Sequence, residues 1–329
     1  MATINYIFRK KIEGAHSIEK LFNIIMENVS NHYNKNQLVN PYKLTPIGIL
    51  KAVAFFRKNT ADINHITGDI HWLAIFLNPK NTILTIHDLV GYFNYKGIRK
   101  YLYFLFWIYL PIKRLKYVTV ISEKTKKEII DILPWAEKKI VVIPNCLTIK
   151  SNRKQNFQEK EKQIMLTIGT LPNKNIERVI KAIKDLPIVL HLIGELNKTQ
   201  KKLLKENSIS YNNFYNISEE ELIQSYLKAD LLCFPSTYEG FGLPILEAQA
   251  NDCVVITSDI YPTKEVAGNA AVLVNPYEIG EIRNAVKSII NDQELKHSLI
   301  KKGRENIKKY EVQNIVNKYH DLYEKMMEK

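Results

Sequence analysis

The chain has 329 residues, too many for one ordinary core and enough for two domains of roughly 150 residues each. With 46% apolar and 25% charged residues it is not a disordered chain, and no 20–50-residue repeat makes it a solenoid. Its net charge of +13 is uneven: residues 1–150 carry 22 Lys and Arg against 10 Asp and Glu, and residues 151–329 carry 25 against 24. An anionic-membrane or polyanionic partner is therefore expected of the first half, against the plainer reading of a lysine-rich soluble surface.

In chain order, short apolar runs with polar flanks mark strands buried on both faces at Ile4 to Phe8, Ile83 to Ile86, Val118 to Ile121 and Ile140 to Ile143. Helical stretches such as Ser17 to Asn28 and Thr125 to Leu133 lie between them. Tyr101 to Ile112 is apolar and aromatic, bounded by Arg99, Lys100, Lys113, Arg114 and Lys116. It is too short to span a bilayer, which takes about 20 apolar residues, and reads either as a buried helix or as one lying in a membrane interface. Ser151 to Gln163 is polar and reads as a linker. The alternation resumes with strands at Ile164 to Ile168, Ile188 to Ile193, Leu231 to Phe234, Val254 to Thr257 and Ala271 to Val274. Helices are expected near 175–184, 219–228, 244–250 and 279–291, and helical spacing continues from about Leu295 to the end.

Two successive strand–helix series predict an α/β chain of two parallel, doubly wound sheets. The expected domains are 1–150, a linker 151–163, and 164–329 with the C-terminal helix in the second domain. No secretory signal is legible after Met1, so the cytoplasm is the expected location, with a peripheral position at the inner membrane face as its extension. Cys146, Cys233 and Cys253 form no C-x-x-C pair and are expected as small core residues.

The most specific stretch runs from Pro235 to Ala248, PSTYEGFGLPILEA. It leaves a strand, turns through Gly240 and Gly242, and enters a helix with Pro244 in its first turn. Backbone amides there suit an anion or a sugar hydroxyl, and Glu239 and Glu247 address two parts of one ligand. A second stretch, Gly169-Thr170-Leu171-Pro172-Asn173-Lys174-Asn175, sets Lys174 at a helix start, where an ammonium and exposed amides meet a diphosphate without a metal. His87 ends a strand in Thr85-Ile86-His87-Asp88-Leu89.

These motifs resemble the E-x7-E signature and neighbouring landmarks of retaining GT-B glycosyltransferases of family 4. The resemblance extends through Ser218 to Leu222, Ala229 to Leu232, Ile256 to Ser258 and Glu265 to Gly268. It implies two Rossmann-like domains facing across a cleft, with Glu239 on the transferred sugar, Glu247 on the ribose and His87 reaching the sugar from the acceptor side. It further implies donor contacts from Gly14, Ser17, Lys174, Gly240, Phe241, Gly242 and Leu243. The loop from Arg9 to Glu19 resembles the family's phosphate-facing loop, with one glycine where relatives often have two, and Asn173 stands where relatives often have Arg. No D-x-D triplet occurs, so no metal or other cofactor is expected. The implied partners are a nucleotide-diphosphate sugar and an acceptor glycan or lipid-linked glycan, in polysaccharide or glycolipid synthesis. The rivals are a GT-B-fold sugar-nucleotide epimerase, a silent sugar-nucleotide binder, and a nucleic-acid binder, the last lacking any recognisable module.

Overall fold

The computed structural model describes residues 1–10, 17–149 and 162–328, and the chain divides into two compact units, Met1–Cys146 with Val312–Lys329, and Leu147–Glu311. The first unit holds strands β1 (Ala2–Phe8), β2 (Tyr33–Val39), β3 (Ile63–Ile66), β4 (Thr82–Ile86), β5 (Val118–Val120) and β6 (Ile140–Val142), all parallel, in the order β2-β1-β3-β4-β5-β6. The second holds β7 (Gln163–Ile168), β8 (Ile188–Ile193), β9 (Tyr211–Phe214), β10 (Leu231–Phe234), β11 (Val254–Ser258) and β12 (Ala271–Val274), also parallel, in the order β12-β11-β10-β7-β8-β9. Both are the expected doubly wound sheets. Each first strand has its sequence neighbours on one side and the returning strands on the other, so strand order reverses at β1/β3 and at β7/β10. In open α/β sheets ligands bind beyond the carboxyl ends of the strands at such points.

Local chemistry fixes where the helices start. Thr45 accepts from the Gly48 amide ahead of Pro46, and Ser122 accepts from the Thr125 amide. Asn197 with Gln200, and Ser218 with Glu221, form reciprocal capping boxes. The Ser218 to Glu221 run thus starts the helix Glu219–Lys228, with the Glu221 carboxyl held below its usual range first by the Ser218 amide. All three cysteines are buried, as expected of core residues.

Three expectations are corrected. The helix Val312–Met327 belongs to the first unit, not the second: Ile315, Val316, Tyr319, Leu322 and Tyr323 pack in one cluster with Ile4, Tyr6, Phe22 and Ile25. Its apolar stripe specified a buried face but not which sheet would cover it. A buried polar contact ties it there, His65 Nδ1 lying 2.7 Å from the Tyr323 hydroxyl while Nε2 lies 2.7 Å from Thr85 Oγ1. The expected linker ends early, because Gln163 is the first residue of β7 and accepts from Lys296 Nζ at 3.0 Å; residues 151–161 of that linker lie outside the described residues. Finally, Tyr101 to Ile112 is neither wholly core nor wholly surface. It runs through Gly97–Tyr103, a π-helical turn Phe104–Tyr109, and Leu110–Arg114. Ile108, Pro111 and Ile112 are buried while Tyr101, Leu102 and Phe106 are exposed, and Trp107 packs on the core with its ring stacked on Tyr103. No helix among the described residues is long and apolar enough to cross a membrane.

Candidate functional site

In the second unit the chain leaves β7 through Gly169, whose φ of 85° favours glycine, and an added Cβ there would sit 2.9 Å from Lys174 Cε. The lysine stem lies in the space the missing side chain leaves. A 3-10 turn, Pro172–Lys174, then delivers Lys174 to the mouth of β10, where Nζ meets Glu239 Oε1 at 2.7 Å and lies 4.7 Å from the centroid of the Phe234 ring. Both side chains are largely shielded, at 19% and 12% exposure, so the ion pair is screened less than a surface one. The two loops that carry it follow β7 and β10, the adjacent strands at which this sheet's order reverses.

Asn173 stitches these loops together. Its side-chain amide donates to the Tyr238 carbonyl at 3.0 Å, and its own carbonyl accepts from the Thr237 amide at 2.8 Å. The residue standing in place of a second cation therefore has a positioning task. Asn175, left-handed at φ 64°, donates to the carbonyls of Pro235 and Pro276, and Arg178 donates to its side-chain oxygen at 2.9 Å.

Gly242, at φ 119°, starts the helix Leu243–Ala250 with Pro244 in its first turn. Gly240 and Leu243 are partly exposed beside it. Phe241 is buried, its ring edge-on to Tyr310 at 5.9 Å, so it anchors the loop from inside and offers a ligand only its backbone. One turn into the helix Glu247 is buried at 7% exposure, with Oε1 accepting from Thr148 Oγ1 at 3.0 Å and Oε2 from the Tyr226 hydroxyl at 2.8 Å. Burial first, and then the Glu247 charge, push the Tyr226 hydroxyl pKa well above 10, so it remains a donor. Sequence reasoning missed both Thr148 and Tyr226. They lie 99 and 21 positions from Glu247, outside any local motif.

In the first unit His87 follows β4, and its Nε2 lies 2.9 Å from the Thr67 carbonyl beyond β3. A carbonyl only accepts, so Nε2 carries the hydrogen and the neutral ring keeps Nδ1 as an acceptor. Burial lowers the His87 pKa to about 4 against the opposing hydrogen bond to Thr67, which leaves the ring neutral at pH 7. Arg9, after β1, pairs with Glu19 at 3.1 Å, and Gly68 lies close against the Arg9 backbone. Gly14 lies outside the described residues; Ser17 opens the helix Ser17–Asn28, but its side chain is likewise outside them.

The structure thus joins Lys174 to Glu239, sets Glu247 in a separate polar cage of the same unit, and gives His87 a defined tautomer. Comparison with known proteins bears on the family and the fold. The model of the family Glycosyl transferases group 1 matches residues 148–306, and that of Glycosyltransferase Family 4 matches residues 19–150. The O-antigen chain mannosyltransferase RfbU of Salmonella typhimurium is 31% identical over 219 residues, 64% of this chain and 61% of that protein. The serotype-specific mannosyltransferase WbdA of Escherichia coli is 25% identical over 244 residues, 65% of this chain and 30% of that protein. The chain therefore spans less than two thirds of the length of these relatives. HepE of Anabaena, crystallised in complex with UDP and glucose, superposes with a TM-score of 0.74 over 98% of this chain and all of that one at 14% identity, a likeness of fold. With two parallel six-stranded sheets and two family models that together run from residue 19 to residue 306, the chain belongs to the family 4 glycosyltransferases of GT-B architecture.

Proposed function

We propose that the chain transfers a sugar, with retention of anomeric configuration, from a nucleotide-diphosphate donor to an acceptor hydroxyl in the synthesis of a surface polysaccharide or glycolipid. The observation that carries this reading is the shielded Lys174–Glu239 pair at the β7/β10 reversal point, 2.7 Å apart. Breaking the bond from the anomeric carbon to the diphosphate builds negative charge on the leaving group and positive charge on the sugar. Lys174 would exchange its partner for the diphosphate and hold that charge. Glu239, released from the ammonium, would then accept hydrogen bonds from sugar hydroxyls. Glu247 would accept from the ribose hydroxyls, a carboxylate having about four acceptor sites. For His87, the neutral ring with Nδ1 as acceptor suits a hydroxyl of the transferred sugar.

Retention follows most simply from front-face attack. The acceptor oxygen bonds to the anomeric carbon as the phosphate oxygen departs, and the acceptor's proton passes to that phosphate oxygen. With Glu239 taken up by hydrogen bonds from sugar hydroxyls, no dedicated nucleophile is left for a covalent alternative. The names of the O-antigen mannosyltransferases and of the UDP-bound neighbour support a glycan acceptor and a nucleotide-sugar donor. A thermal-shift screen of UDP-, GDP-, ADP- and TDP-sugars tests donor binding, since ligand at about 100 times its dissociation constant stabilises by roughly 2.7 kcal/mol. Transfer with the donor selected, followed by NMR of the product anomer, should show the donor's configuration kept. An inverted product overturns the retaining reading, and no shift with any donor overturns the function.

A further inference from the structure

The first unit carries 24 Lys and Arg against 13 Asp and Glu. Its most one-sided stretch runs from residue 89 to residue 122, where no Asp or Glu occurs and Lys96, Arg99, Lys100, Lys113, Arg114 and Lys116 do. The same stretch holds a group of exposed apolar side chains. Phe93, Tyr95, Ile98, Tyr101, Leu102 and Phe106 are 49%, 45%, 69%, 58%, 45% and 39% exposed. Tyr95 lies between two short helices, Val90–Asn94 and Gly97–Tyr103, and the others belong to these helices and the π-helical turn after them; the helices approach closely because Gly91 lies against the Tyr103 ring. Exposed large apolar side chains grouped in this way mark a surface awaiting a partner.

We propose that this face docks on an anionic lipid bilayer. Three features choose that occupant. Basic side chains without a nearby acid in sequence complement anionic headgroups, while Ile98, Leu102 and Phe106 offer the apolar insertion that a purely electrostatic partner would not need. A cavity of about 280 Å³ opens within the face between Tyr92, Tyr101, Phe104 and Ile132, and the Lys100 ammonium lies 4.3 Å from the centroid of the Tyr92 ring. An aromatic slot beside an ammonium matches the boundary between headgroup phosphate and acyl chain. Asp131, next to Ile132, is tied to Lys127 at 2.6 Å. A nucleic acid would find little to stack on in Ile98 and Leu102, and a second copy would bring the same positive charges together.

This inference goes beyond the proposed transfer reaction and does not depend on it, because its readout is binding without nucleotide or acceptor. The full chain is floated with phosphatidylcholine vesicles and with vesicles containing phosphatidylglycerol, at low and high salt. Binding is expected only to phosphatidylglycerol and should weaken with salt. Ile98→Ser/Tyr101→Ser/Phe106→Ser and Arg99→Glu/Lys100→Glu should each lower the partition by at least about tenfold. Ile47→Ser/Leu50→Ser, on a separate exposed apolar stripe, should bind as the unaltered chain does. Hydrogen exchange of the unaltered chain on vesicles, which needs no variant to fold, should show protection at residues 93–106. Any of four results overturns the proposal: no binding at low salt, equal binding to phosphatidylcholine, protection only outside 93–106, or self-association lost in the Ile98→Ser/Tyr101→Ser/Phe106→Ser variant. The last would assign the face to a second copy.

Discussion

The two sheets reverse their strand order in the same way, and each has a shielded ion pair at its carboxyl end, Lys174–Glu239 after β7 and β10 and Arg9–Glu19 after β1, but only the first unit adds a neutral histidine, His87 after β4. The second unit is nearly balanced, with 23 Lys and Arg against 21 Asp and Glu, yet it holds a shielded ion pair at β7/β10. The first unit is strongly basic, yet beyond β4 it holds a half-buried, neutral histidine. Global charge and site charge are therefore separate properties. An ionised lysine near a carboxylate suits a leaving group that gains charge, and a neutral imidazole suits a hydroxyl that does not.

Removing the ion pair should break this comparison most severely. Lys174→Ala and Glu239→Gln are each expected to lower transfer at saturating donor by at least about tenfold, roughly 1.4 kcal/mol of barrier, with the fold retained. Near-normal initial rates in either variant would remove that residue from the charged site. Loss of the Glu247 cage should act more gently. Tyr226→Phe deletes a hydrogen bond to a carboxylate, worth about 1.5–3 kcal/mol, but leaves the carboxylate in place. The expected result is a donor KM raised about five- to tenfold with kcat within about twofold; a fall in kcat at unchanged KM would put Tyr226 in the chemistry instead.

The neutral site is sharpened by pH. Burial lowers His65 to about 3 and His87 to about 4 from 6.5, and for His65 the nearby His87 adds to the effect. Between about pH 4 and 6.5 the unfolded chain binds protons at these rings that the folded chain does not. This contribution is intact above pH 6.5 and is lost as pH falls below it. The melting temperature should therefore drop from pH 7 to 5, and less steeply in His87→Asn; equal slopes would mean that folding does not lower the His87 pKa. The smallest expected effect is that of EDTA. A diphosphate site made of Lys174 and backbone amides calls for no divalent ion, so donor binding and turnover should persist, and abolition of binding by EDTA would require a metal in the leaving-group account.

The sequence was readable wherever a residue's neighbours along the chain decide its structure. Central strands buried on both faces are apolar runs, and the Glu239 to Glu247 stretch keeps its turn, glycines and helix start within a few residues. Two of the four edge strands were not legible: β2 is Tyr-Asn-Lys-Asn-Gln-Leu-Val and β9 is Tyr-Asn-Asn-Phe, polar because an edge faces solvent, whereas the edge strands β6 and β12 are apolar and could be read. Short β3 was also missed, for it buries Asn64 and His65, whose partners Asn5 and Tyr323 lie 59 and 258 positions away.

By itself, then, the sequence determined two doubly wound sheets, their strand-to-helix rhythm and the candidate residues Lys174, Glu239, Glu247 and His87. Tertiary structure decided that the last helix crosses back to the first unit, that Asn173 ties two loops together, that Thr148 and Tyr226 hold Glu247, and that one face of residues 101–112 is core while the other is bare. Periodicity specifies that a face will be buried. Only packing between distant segments specifies against what, because apolar contact is non-directional and the hydrogen bonds that choose among partners join residues far apart in the chain.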